Sequence, residues 1–322
     1  MRVDGRARRA LGAAVIGLLA LGLPQILGEY WAYVAALGYI HVLLAVGLNF
    51  LLGYAGAFSF GHSALYGFGA YATGLLMVRL GVPFPLAIVA GTLLTVLISF
   101  LIAVPALRVS GVYLGIITVG FVELFIWALT NWRSLTFGPA GFRVPAPAFA
   151  GIPLNSATRI YYVILPVTVG LLLLARWIVR SKVGRALVAI REHEAAAQAL
   201  GVDARRYTIT AFALNAGYAG VAGGLYAVLL NYLSPGTFGL FEAIAQFNML
   251  VVGGIGTFYG PIIGALGVTI LFEFLRGATG LQELLSGLFL VIFVLFLPRG
   301  VAGELRRAGW LPAERLHGGF RS

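Results

Sequence analysis

The sequence predicts an all-α fold: a polytopic integral membrane helix bundle of about 8–10 transmembrane helices, with broken or re-entrant segments among them. Three observations lead there. Hydrophobic residues make up 60% of the chain and charged residues 10%, where soluble domains carry about 45–50% and about 25%. Apolar runs of roughly 20 residues, the length of a bilayer-crossing helix, recur along the chain. The basic residues gather at the ends of those runs.

The same numbers exclude several classes. A net charge of +11 would point to nucleic acid in a soluble protein, but here the arginines orient the spans. The chain has no Cys, which rules out disulfides, thiolate metal sites and Cys nucleophiles.

The elements follow in order. Residues 1–10, "MRVDGRARRA", carry four Arg, and 11–28 are apolar. A cleaved signal peptide has similar regions. However, no small-residue cleavage site follows, and "GLPQILGEYWAYV" runs straight into another span, so an uncleaved first helix is expected. Further spans are expected at 31–52, 63–79, 84–107, 112–132, 159–180, 207–232, 243–258, 261–276 and 284–298. The Pro- and Gly-rich 133–158 is the expected external loop.

Arg2, Arg6, Arg8 and Arg9 place the N-terminus in the cytoplasm. Arg180, Lys182, Arg185, Arg191, Arg205 and Arg206 mark 181–206 as cytoplasmic, and Arg299, Arg306, Arg307, Arg315 and Arg321 mark the tail, 299–322. Both conditions need an even number of crossings. The runs satisfy them only if 53–62 is not itself a crossing, and the short, Gly-broken last runs leave eight spans open as well as ten. The whole of 1–322 is expected to be one transmembrane domain.

The stretch "LNFLLGYAGAFSFGHSALYGFGAYATGLL" at 48–76 contains residues that weaken helices. Gly67, Ala70, Tyr71 and Gly74 recur at helical spacing, as a close helix–helix contact requires. Gly53, Gly56 and Gly61, with Ser59, give no regular face. Irregular backbone at membrane depth survives only inside protein or beside a water-filled cavity. A half-helix starting near Ser59 or His62 would aim its positive end at such a cavity, where a carboxylate-bearing solute fits. A weak echo recurs later: "FLLGYAGAF" at 50–58 and "LVVGGIGTF" at 250–258 pair Gly53 with Gly253, Gly56 with Gly256 and Phe58 with Phe258. Such repeats are frequent in transporters, where broken helices meet near the midplane.

The candidate solute path is therefore Asn49, Gly53, Gly56, Ser59, His62, Glu123, Gly253, Gly254 and Gly256. His62 is either a packing residue or a ligand. Glu123, an ionisable residue inside a span, serves gating or subunit contact, or else pairs with a neighbouring Arg. Glu273 near Arg276 is an expected interfacial pair. His41, His193 and His317 lie too far from His62 to form an evident metal site, and no metal or catalytic residue is expected.

Residues 180–214 read "RSKVGRALVAIREHEAAAQALGVDARRYTITAFALN". Leu187, Ile190 and Ala197 share one helical face, with Arg191, Glu192 and Glu194 on others. Gly201 is a fitting end for a helix over 186–201. The segment is either a charged connection or a short amphipathic docking helix.

At this segment the chain resembles the coupling loop of ABC-importer permeases, whose hallmark is E-A-A, three residues, then Gly. Glu194-Ala195-Ala196 precedes Gly201 by one residue too many. This departure is similar to the branched-chain amino acid permeases, which commonly read R-E-D-E-x-A-A-x-A-L-G. "REHEAAAQALG" at 191–201 matches except for His193 in place of Asp. "GLNFLLGYAGAFSFGHSALYGFGAY" (47–71), "GVYLGIITVGFVEL" (111–124), "LTFGPAGF" (135–142) and "NYLSPGTFGLFEAIAQFNMLVVGGIGTFYGPIIGA" (231–265) resemble further segments of that family in the same order. Ala57 replaces its usual Gln. The branch it most resembles is the LivM-like one.

The resemblance implies a non-catalytic permease half that imports branched-chain amino acids. Its implied partners are a second permease of the LivH type, two ATP-binding cassette subunits, an extracytoplasmic solute-binding protein and membrane lipid, with no nucleic acid. It implies ATPase coupling through Arg191, Glu192, Glu194, Ala196 and Gly201. The chain has no phosphate-binding G-x-x-x-x-G-K-[ST], so no cofactor is expected and ATP belongs to the partners. Close relatives carry urea, short amides or other amino acids.

Two other classes compete with this reading. A self-contained secondary transporter or channel would use Glu123 and His62 as a proton relay, and the coupling segment argues against it. A membrane enzyme would present clustered His, Asp or Glu at one face, and a Ser hydrolase would need G-x-S-x-G.

Overall fold

The computed structural model describes residues 5–109, 111–149, 152–275, 287–288, 291, 297 and 300–308. The expected span 284–298 therefore falls largely outside the described residues. Helix α1 (Gly5–Leu48) continues into a π-helical turn (Asn49–Tyr54). Then come α2 (His62–Leu80), α3 (Phe84–Ala106), α4 (Val112–Asn131) and the single turn α5 (Arg133–Thr136). After the long loop follow α6 (Ala157–Arg180), α7 (Lys182–Glu192), α8 (Glu194–Ala199) and α9 (Ala204–Leu230). The chain continues through α10 (Leu240–Gly253), α11 (Gly260–Leu275) and α12 (Gly300–Arg307). The two spans expected at 11–28 and 31–52 belong to one long α1 kinked at Gly28, whose φ of 85° and ψ of −179° are not helical.

Six helical segments among the described residues are long and apolar enough to cross a membrane: Ala20–Tyr54, Phe84–Ala106, Val112–Asn131, Ala157–Arg180, Ala204–Leu230 and Pro235–Gly253. Helix α11 is a shorter apolar helix. The chain is a multi-pass membrane protein built as an all-α bundle.

Burial follows the logic of a lipid solvent. On α3 the large apolar residues Leu86, Val89, Leu93, Leu97 and Leu101 face outward, while Gly91, Thr95 and Ser99 face the bundle. Lipid tails accept leucine as readily as a protein core does, so close packing of small residues and hydrogen bonding hold the inside together. Helices α2 and α9 cross so closely that a Cβ on Gly69 would collide with the backbone of Gly220. The small-residue face expected on α2 is this contact and its neighbours: Gly67 lies against Phe125 and Phe238, and Gly74 against Leu233 and Phe142.

Contacts at the helix ends define two faces. At one, the N–H of Ala157 donates to Glu29 Oε1 at 2.9 Å, so α6 starts beside the post-kink part of α1. That face carries the 133–158 loop, which is more ordered than its composition predicts. Strand β1 (Phe142–Arg143) in it pairs antiparallel with Tyr232–Leu233 after α9, and β2 (Ala148–Phe149) pairs with β3 (Ile152–Pro153). At the opposite face lie Gly53, Arg191 and Gly256. Gly300 abuts Gly253 and Gly254 there. Residues 181–206 and 300–308 thus share one face and 133–158 takes the other.

Candidate coupling and gating site

Two helix interruptions meet at the arginine-rich face. The first begins as a π-helical turn, in which the N–H of Ala55 donates to Phe50 O at 3.2 Å and that of Ala57 to Leu51 O at 3.0 Å. It ends at Gly61, and α2 returns. The second lies between α10 and α11, at Gly254–Tyr259. Asn49 joins them. Its Oδ1 accepts from the Gly256 N–H at 2.9 Å and its Nδ2 donates to Thr257 O at 2.9 Å. The side chain is 2% exposed, and both backbone groups would otherwise lack these partners.

The glycines make that approach possible. A Cβ on Gly53 would overlap Asn49 Oδ1 and lie 2.8 Å from the Gly256 nitrogen. Gly56 and Gly256 have φ of 72° and 73°, a left-handed conformation that residues with a Cβ adopt at a cost. The two echoed positions thus share one backbone conformation.

The segment from Lys182 to Ala199 closes the site. It forms two helices in place of the single one expected over 186–201. His193, extended at φ −161°, ends α7 and caps α8, its Nδ1 accepting from the Ala196 N–H at 3.3 Å. Asp, a strong N-cap, would serve the same position. Helix α8 ends in a Schellman motif: Val202 N–H donates to Ala197 O at 3.0 Å and Gly201 N–H to Gln198 O at 2.9 Å, with Gly201 at φ 84°. Ile190, Ala197 and Ala204 pack together beneath, and Leu187 is fully buried. Glu192, Glu194 and Ala196 face outward, beside Leu200 at 86% exposure.

Arg191, expected to help orient a partner, is exposed, and its guanidinium also reaches back to the bundle. Its Nη1 donates to Gly53 O. A Cβ on Gly56 would lie 3.1 Å from Arg191 Cγ, and one on Gly256 would touch its guanidinium. One side chain from α7 thus touches both interruptions. A cleft of about 500 Å³ opens beside it, lined by Ala55, Gly56, Val109, Leu114, Glu192 and Thr208 among others.

The remaining candidates scatter. Ser59 and His62 are buried, His62 against Gly47 and beside Asn215 of α9. Two amides just before α2 are taken by protein: Phe60 N–H donates to Thr118 Oγ1 at 2.9 Å and Gly61 N–H to Ser59 Oγ at 3.2 Å. Gly253 packs on Gly260. Glu123 stands on the outer face of α4, exposed, with no ion pair among the described residues. Glu273 accepts from Tyr30, and Arg276 lies outside the described residues.

Two contributors escaped the sequence reading. Thr257 is one, because a backbone acceptor leaves no mark on residue type. The other is Glu242 on α10, whose place one turn into an apolar run was the available signal.

A membrane bundle with two paired interruptions, and an exposed helical element wired to them from one face, has the build of a transport permease. Residues 30–297 match the family described as branched-chain amino acid transport system / permease component, and the chain belongs to that family. It is 29% identical to the high-affinity branched-chain amino acid transport system permease protein LivM of Escherichia coli K12, over 93% of this chain and 76% of that protein. It is 27% identical to LivH of Salmonella typhimurium LT2, over 83% of this chain and 92% of that one. The autoinducer 2 import system permease protein LsrC of Salmonella paratyphi B is 27% identical over 69% of this chain and 65% of its own. No solved structure gives a significant match.

Proposed function

We propose that this chain is a non-catalytic, single-domain permease subunit of an ATP-driven importer of branched-chain amino acids in the bacterial plasma membrane. Its N-terminus and the α7–α8 face lie in the cytoplasm, and the 133–158 loop lies outside. A second permease of the LivH type completes the pathway. Two ATPase subunits drive it, and an extracytoplasmic binding protein delivers the solute.

The observation that carries this reading is the two-sided character of α7–α8. Outward it presents Glu194, Ala196 and Leu200, and Leu200 is 86% exposed. Inward, Arg191 reaches the Gly53 carbonyl and abuts Gly256. A rigid helical element seated in a partner's groove moves as one body. When the ATPases close, α7–α8 shifts, and Arg191 carries the shift to both interruptions at once. Asn49, Gly53, Gly56 and Gly256 form the moving gate under this reading. Ser59, His62, Gly253 and Gly254 support it, and Glu123 faces the second permease.

Replacing Glu194 with Arg places a positive charge where the ATPase docks, and a like-charge contact there costs several kcal/mol. Gly201→Val strains the Schellman turn that aims α8. Both variants are expected to insert normally and to lose ATPase co-purification or solute-stimulated hydrolysis. Wild-type coupling in both would leave α7–α8 as a mere connection.

A further inference from the structure

The interruptions at the α7–α8 face do not account for a second polar feature, near the opposite face. Glu242 lies in the first turn of α10, inside the apolar segment Pro235–Gly253. A carboxylate within a span is costly and usually functional. No Arg or Lys pairs with it among the described residues. It accepts a neutral hydrogen bond instead, in which Gln246 Nε2 donates to Oε1 at 3.0 Å.

Its surroundings are aromatic and hydroxylated. Tyr66 and Tyr226 lie within electrostatic reach of the carboxylate, and Tyr33 lies within reach of both tyrosines. The rings of Tyr66, Tyr226 and Phe238 stack edge to face, with centroids 5.2–5.9 Å apart. The Tyr66 hydroxyl and the Gln246 Oε1 are buried and unpartnered, at 1% and 0% residue exposure. Glu242 itself is half-buried, and the adjoining Phe241 is 67% exposed. Glu242 is therefore partly reachable from the outer surface of α10, with the Tyr66 hydroxyl and the Gln246 Oε1 enclosed behind it. Tyr33 is one turn past Glu29 and Tyr226 just over one turn before Asn231, so the cluster lies shallowly below the face that carries the 133–158 loop.

We infer that Glu242, with the Tyr66 hydroxyl and the Gln246 amide oxygen, is the permease's receiving subsite for the α-ammonium group of its amino-acid solute. The chemistry matches. An alkylammonium offers three donors and one positive charge; the cluster offers one negative charge and two unused acceptors, beside aromatic faces that attract cations. The position matches as well, because a binding protein on that side releases solute close to Glu242. This inference rests on the proposed importer reading.

The test uses the full complex: this chain, its second permease, both ATPases and leucine-loaded binding protein, in proteoliposomes. The readout is leucine imported per ATP hydrolysed. Glu242→Gln is nearly isosteric and removes the charge. It is expected to lower the ratio about tenfold, the scale of one charged hydrogen bond, with subunit recovery and stimulated hydrolysis retained. Glu242→Asp keeps the charge and is expected to stay within about threefold of the wild type. An unchanged ratio in Glu242→Gln, or equal losses in Gln and Asp variants, overturns the proposal. Loss of the second permease from the purified Gln variant also overturns it, by assigning the carboxylate to the subunit contact. A wild-type complex that imports no leucine refutes the importer reading itself, before any variant is compared.

Discussion

Asn49 and Gly256 are 207 residues apart in sequence and joined by a 2.9 Å hydrogen bond from the Gly256 N–H to Asn49 Oδ1. Through that bond, and the matching one to Thr257 O, the two interruptions of the bundle are held as one unit. Arg191 touches both from the α7–α8 side. The structure thus provides a mechanical path from the exposed α7–α8 element to two irregular backbone segments.

Asn49→Ala removes the partners of the buried Gly256 N–H and the part-buried Thr257 carbonyl. Each group left unsatisfied costs about 1–3 kcal/mol, so the variant is expected to melt several degrees lower in detergent and to lose most uptake. A wild-type melting point with wild-type uptake would show that the interruptions do not depend on this clamp.

Gly256→Ala places a Cβ on a residue at φ 73°, against the Arg191 guanidinium. It is expected to abolish uptake while the chain still inserts. Gly267→Ala on α11 has nothing within 4 Å of the added methyl and is expected to be neutral, or stabilising by up to about 1 kcal/mol. Equal behaviour of the two in an uptake assay would make the Gly256 geometry incidental.

Arg191→Ala leaves the outward surface of α8 intact and removes the inward contact. The expected outcome is normal recovery of the ATPases with uptake lowered by about tenfold or more. Arg191→Lys, with one ammonium for the broader guanidinium, is expected to fall between. Loss of ATPase recovery in Arg191→Ala would instead place Arg191 in the docking surface.

Much of this was legible in the sequence. The spans expected at 84–107 and 112–132 match α3 and α4 within a residue or two, because lipid-facing apolar runs and their Pro and Gly ends are local signals. The echo of Gly56 in Gly256 was legible for the same reason. The pairing of the interruptions was not, since a hydrogen bond from the Gly256 N–H to Asn49, 207 residues away, leaves no periodicity. Arg191 lay among basic residues whose outward role is the usual one, and only the fold reveals that this exposed residue also reaches the Gly53 carbonyl. The break at His193 was hidden because histidine is an uncommon cap, so the stretch looked like one continuous helix.

Orientation has a direct test in this Cys-free chain. Asn155 and Lys182 are exposed, near opposite ends of α6. Single Cys variants labelled from outside intact cells with an impermeant thiol reagent are expected to react at position 155 and to stay silent at 182. The reverse pattern would invert the topology and move α7–α8 away from any cytoplasmic partner.

The central claim is that transport through this chain is powered from α7–α8 by separate ATPases, and the most direct measurement is leucine uptake into proteoliposomes. The permease pair is reconstituted with and without the ATPases, with loaded binding protein outside and either ATP or a proton gradient as the energy source. The account predicts uptake only with the ATPases and ATP, and none from the permease pair under a proton gradient. Proton-driven uptake without ATPases, at a rate matching the full complex, would contradict it.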